Sequence, residues 1–128
     1  MSIKNIIDNV YYTNLDCKKF NTYFENIITI NSFSNIEKYK ELLFVKINDK
    51  DYLTPILINI YDFIIKSINN NEKVLVQCIS EYDYSPYVCI AFLCKYNNIS
   101  IEEAIEKIEL KNINKKIILE IENWQKKK

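Results

Sequence analysis

The chain has 128 residues, 48% of them hydrophobic, with 17 basic and 17 acidic side chains and no histidine. That length suits one domain whose apolar core needs neither disulfides nor a structural metal. A formal net charge of zero argues against a general nucleic-acid or membrane-surface binder, and the missing histidine removes the commonest general base and metal ligand.

The sequence contains no glycine, so tight turns must fall to other residues, and asparagine is the natural substitute because it tolerates left-handed backbone geometry. Four cysteines, Cys17, Cys78, Cys89 and Cys94, form no C-x-x-C pair and have no histidine partner, so neither a zinc site nor any other cofactor is expected. Nothing at the start reads as a signal peptide, and no apolar run is long enough to span a bilayer. The expectation is one domain over residues 1–128, in a reducing cytoplasmic setting with free thiols.

In chain order, Asn9–Thr13 reads as a short strand and Asp16–Phe24 as a helix. Asn26–Asn31 and Leu42–Ile47 are rich in β-branched and apolar residues and read as strands. A helix is predicted from about Thr54, as N-cap, with Pro55 at its first position and Ile56, Leu57, Ile60, Phe63 and Ile64 as its apolar stripe; Asn69, Asn70 and Asn71 end it. Lys73–Gln77 suits a buried central strand. Pro86 opens the next helix. Ser100 with Glu103 forms a capping box ahead of a helix that places Ile101, Ala104, Ile105 and Ile108 on one face. The last helix, about Lys115–Gln125, buries Ile117, Ile118, Ile121 and Trp124. Strands alternating with helices predict an α/β fold: a central, mostly parallel twisted sheet of four to five strands flanked by helices.

The informative stretch is Val74–Leu93, VLVQCISEYDYSPYVCIAFL. It resembles the signature of cysteine-dependent protein phosphatases, VLVHCxxGxxRSxxxxxAYL, with Cys78 at the nucleophile position and Ser85 at the Ser/Thr position seven residues on. Ile90-Ala91-Phe92-Leu93 is similar to the helix after the family's phosphate loop. SIEEAIEKI, INKKIILEIENWQ, DNVYYTN, FENIITINS and FVKINDKD resemble further family segments in the same order. The likeness spans nearly the whole chain and is closest to the compact dual-specificity group, virus-encoded members included. It implies that fold, a relic nucleophile at Cys78 and a relic general acid at Asp49, with Asp51 a weaker match; the plain alternative makes both aspartates turn residues.

The departures from the family pattern matter more. Gln77 stands where the family has His, Glu81 where it has the loop Gly, and Tyr84 where it has Arg, so the degenerate loop reads Cys78-Ile79-Ser80-Glu81-Tyr82-Asp83-Tyr84-Ser85. In an active member, backbone N–H groups at a helix N-terminus and the Arg fork hold the phosphate dianion and keep the cysteine ionised. A tyrosine offers one neutral O–H instead. Inward-facing Glu81 or Asp83 carboxylates would repel phosphate and raise the Cys78 pKa.

The expectation is therefore a catalytically inactive pseudophosphatase that binds or scaffolds a protein, itself as a homodimer included, with no nucleic-acid or membrane partner. The alternatives are residual cysteine-dependent phosphatase chemistry through Cys78 and Asp49, and a phosphopeptide reader without turnover. Cys78 also has a plain reading, as a small hydrophobe at a strand end, and Cys89 and Cys94 read as core residues. Tyr82 and Tyr84 leave two readings open: an exposed contact surface, or packing that fills the former phosphate pocket. The Glu102, Glu103, Glu106 and Lys107 run reads as a solvated helix face.

Overall fold

The β-branched and apolar runs become strands because their side chains fill a two-sided, half-buried pleated surface. The computed structural model describes residues 3–13, 24–31, 39–47, 53–78, 84–110 and 112–126. All of the expected helix Asp16–Phe24 except its last residue lies outside them. In chain order the elements are β1 (Lys4–Ile7), β2 (Val10–Thr13), β3 (Asn26–Ile30), β4 (Glu41–Val45), α1 (Leu53–Asn69), β5 (Val74–Cys78), α2 (Ser85–Asn97), α3 (Ile101–Ile108) and α4 (Lys115–Lys126).

The strands form one sheet in the order β1-β2-β5-β3-β4. Only the β1–β2 pair is antiparallel; β2, β5, β3 and β4 run parallel. β5 is thus central, with neighbours on both sides, as its unbroken apolar run predicts. β1 was not expected. Its turn into β2 relies on Asp8, at φ 47°, rather than on a glycine.

Alternation along the strands separates two layers. Val10, Ile28, Ile30, Val45, Val74 and Val76 point into the main core, which α1 to α4 complete with Leu57, Ile60, Ile64, Phe92, Leu93, Ala104, Ile121 and Trp124. Ile27, Leu75 and Phe24 form a smaller cluster on the opposite face, joined by Ile3 and Tyr11. Ile56, Phe63, Ile105, Ile117 and Ile118 are only partly buried and pack against the main core.

The helix ends follow local chemistry. α1 starts at Leu53, one residue before the predicted cap, and the Leu53 N–H donates to Glu120 Oε1 of α4 at 3.4 Å, so Thr54 lies inside the helix. Ser100 does cap α3: its hydroxyl accepts from the Glu103 N–H at 3.1 Å. Asn71, Asn98 and Glu109 take the left-handed conformation (φ 56°, 53° and 63°) after α1, α2 and α3, the role that glycine fills in most chains. Where the helices meet, Trp124 is 2% exposed. It stacks edge-on with Tyr61 at 6.0 Å, and the Lys95 ammonium sits 4.5 Å above its ring.

Candidate functional site

Parallel sheets place ligands beyond the carboxyl ends of their strands, where loops lead into helices. Here β5 ends at Cys78, in register with Ile30 of β3. Residues 79–83 lie outside the described residues, and so do the expected loop positions Ile79, Ser80, Glu81, Tyr82 and Asp83. The chain is next described at Tyr84, the N-cap of the 13-residue α2. In sequence, the strand end and the helix start therefore flank the segment that the resemblance singled out, and α2 begins with the positive end of its dipole. No acidic residue lies in the first turn of α2 to offset that dipole.

Tyr84 has helical backbone angles (φ −91°, ψ −11°), and its side chain makes no capping hydrogen bond. Its carbonyl accepts from the Val88 N–H at 3.0 Å. The side chain is 7% exposed and belongs to the main core, so for this tyrosine the structure favours packing over an open contact surface. Ser85 is fully buried, and Pro86 follows in the first turn, where its missing N–H costs nothing. One residue on, Tyr87 ties α2 to the approach of α4: its hydroxyl donates to the Asn112 carbonyl at 3.0 Å and accepts from the Asn114 N–H at 2.8 Å.

On the sheet, Gln77 pairs with Thr13 of β2 and with Thr29 of β3. All three side chains are buried, at 0%, 1% and 0% exposure. By alternation they share the face of Ile27 and Leu75, opposite the helices. A polar row thus crosses three adjacent strands, one residue short of Cys78 on the central one. Neither Oε1 nor Nε2 of Gln77 has a hydrogen-bond partner among the described residues.

Asn31, just past β3, braces the next strand exit. Its Nδ2 donates to the Ile47 carbonyl at 2.9 Å, its Oδ1 accepts from the Ile47 N–H at 2.6 Å, and its own N–H donates to Val45 at 2.8 Å. Sequence reasoning missed this clamp. Its signal was an asparagine directly after a β-branched strand, here at φ 60°. Asp49 and Asp51 follow within the undescribed residues 48–52.

The remaining cysteines with described side chains are core residues. Cys89 and Cys94 are each 1% exposed. Burial, assisted by the nearby Glu102 and Glu103 carboxylates, pushes the Cys94 thiol up to about 11, so it stays protonated and inert at neutral pH. Cys17 lies outside the described residues. Glu102, Glu103, Glu106 and Lys107 are exposed on α3. A shallow groove at the far end of α2, lined by Asn97, Ile99, Glu103, Glu106 and Lys107, contains none of the predicted loop residues. Among the described residues, no group of His, Cys, Asp or Glu could hold a metal ion, and no helix is long and apolar enough to cross a membrane.

A mostly parallel sheet whose central strand ends at a cysteine, with a buried helix starting at Ser85, is the arrangement of cysteine-phosphatase-like α/β proteins. A family model described as the dual-specificity phosphatase catalytic domain matches residues 5–127, and the chain belongs to that family. No curated protein matches it. Among solved structures it is similar to DUSP15, with a TM-score of 0.84 at 15% identity over 98% of this chain and 88% of that one. PTPMT1 gives 0.82 at 21% identity over 98% and 92%. The human tyrosine phosphatase-like serine/threonine/tyrosine-interacting protein gives 0.83 at 15% identity over 96% and 95%. Identities this low establish a shared fold.

Proposed function

We propose that this protein is a pseudophosphatase: a dual-specificity phosphatase fold that binds or scaffolds a protein partner in the cytoplasm without hydrolysing phosphoesters. The observation that carries the reading is Tyr84. It stands where the family resemblance places the phosphate-gripping arginine, and it is buried against the main core at the start of α2. A phenol there supplies one neutral O–H in place of two charge-assisted bonds worth roughly 1.5–3 kcal/mol each. The sequence adds Glu81 and Asp83 to the same loop, and Gln77 is neutral. One structural neighbour is itself named as phosphatase-like and interacting, which fits this reading. The partner is a protein, with a second copy of this chain one candidate.

The reading is tested with a chromogenic aryl phosphate. Wild type and Cys78→Ser are expected to be indistinguishable from buffer. Turnover by the wild type that disappears in Cys78→Ser would overturn the proposal in favour of residual phosphatase chemistry through Cys78 and Asp49. That second reading has one structural observation behind it: Cys78 ends the central strand ahead of the α2 N-terminus. Calorimetry with phosphotyrosine and phosphothreonine peptides is expected to show no saturable binding, and a binding isotherm without turnover would make the protein a reader instead.

A further inference from the structure

The two ends of β5 are held differently. At its start, the Val74 N–H donates to Asn9 at 2.9 Å, the Lys73 carbonyl accepts from Asn26 at 3.1 Å, and the Lys73 N–H donates to Glu25 Oε1 at 3.3 Å. At its finish, the Gln77 amide is fully buried, and both of its polar atoms lack a partner among the described residues. A buried amide without hydrogen bonds has given up its hydration and gained nothing in return. Exposing it to water restores what was lost.

From this we infer that Gln77 makes the Cys78 end of β5 a pre-weakened point of the sheet, which opens to solvent ahead of the rest of the strand. The closed state carries the whole penalty of the unpaired amide, and an opening that hydrates Gln77 removes it. Such an opening is therefore easier by that amount than one elsewhere in the same sheet. The strand end that leads into the candidate site thus gains access to an open conformation that a partner could select. The inference is independent of whether the site turns over substrate.

Backbone hydrogen exchange by NMR on the full chain, in wild type and in Gln77→Met and Gln77→Leu, tests it. In the wild type, the amides of Gln77 and Cys78 are expected to exchange about tenfold or more faster than those of Val74 and Leu75. Both substitutions remove the polar atoms while filling the space. Each is expected to slow exchange at Val76–Cys78 about tenfold, to leave openings confined to α4 unchanged, and to raise the unfolding midpoint by several degrees. Uniform exchange along β5 in the wild type would overturn the inference. So would lower protection or a lower midpoint in both variants, or failure of both to fold, because each result would mean that the amide makes bonds the fold needs.

Discussion

Asn26 and Gln77 are both buried primary amides in the parallel core of the sheet, at opposite ends of adjacent strands, and the protein surrounds them differently. Asn26, at the start of β3, donates through Nδ2 to Ser67 Oγ at 2.9 Å and to Glu72 Oε1 at 3.1 Å, and Glu72 pairs in turn with Lys40 at 2.6 Å. Only its Oδ1 lacks a partner among the described residues, whereas both atoms of Gln77 do. The amino ends of the strands are stitched to the end of α1 by a chain of side chains. Near the carboxyl end of β5, beside the candidate site, the Gln77 amide has no partner among the described residues. The contrast is between the two amides and not between whole ends of the sheet, since Asn31 braces the carboxyl ends of β3 and β4 through Ile47.

The sharpest way to break this contrast is Asn26→Ala. It removes the two bonds from Nδ2 to Ser67 and Glu72, so it should cost about 2–3 kcal/mol in denaturant unfolding. That is opposite in sign to the effect expected for Gln77→Met. If the two substitutions shift stability the same way, the comparison fails.

Next comes the clamp at the carboxyl ends. Asn31→Ala loses both bonds to Ile47 and forces a non-glycine, non-asparagine residue into φ 60°, with an expected cost of about 2 kcal/mol. Asn31→Gly keeps the backbone geometry free and should cost roughly half as much. Equal losses in the two variants would show that the side-chain bonds, and not the left-handed backbone, carry the effect.

The smallest expected effect is in the exposed Lys40–Glu72 pair. The hydrogen bond from Lys40, followed by the one from Asn26, holds the Glu72 carboxyl below its ordinary value, and the bond to Glu72 lifts Lys40 above its own. A lowered carboxylate stabilises the fold above its unfolded value and ceases to do so as pH falls through the folded one. A raised ammonium stabilises below its unfolded value and ceases to do so as pH rises through the folded one. Lys40→Met should therefore give a barely measurable loss from neutral to mildly alkaline pH, which fades in thermal melts as pH falls through the lowered Glu72 value. A deficit that persists in strong acid would mean that Lys40 acts by packing its stem rather than by charge.

Much of this was legible in the residues, because the strongest signals are local. The β-branched run of Ile27–Ile30, the apolar Val74–Val76 and the Ser100 cap each declare their element without reference to the rest of the chain, and the family signature placed Cys78 at a strand end. β1 escaped because Lys4–Ile7 is short and its turn uses Asp8 in place of the usual punctuation. Thr54 was displaced as cap where Glu120 of α4, 67 residues from Leu53, supplies the acceptor for the first N–H, which no local pattern encodes. The row of Thr13, Gln77 and Thr29 needs the order β2-β5-β3, in which spatial neighbours are distant in sequence. The general-acid candidates and the middle of the loop lie outside the described residues, so Asp49, Glu81 and Asp83 remain part of the proposal.

The single tryptophan determines what optical experiments can report. Trp124 lies at the junction of α1, α2 and α4, under the ammonium of Lys95 and against the ring of Tyr61. Lys95 belongs to the last turn of α2, whereas the candidate site adjoins the first turn of that helix. Its emission should be blue-shifted, as a ring shielded from solvent requires, and should follow the separation of the helices on unfolding. An anion added at the strand ends would leave that signal nearly unchanged. A flat fluorescence titration is therefore no measure of an empty site, and a dye or a second indole introduced near the start of α2 would be needed to watch it fill.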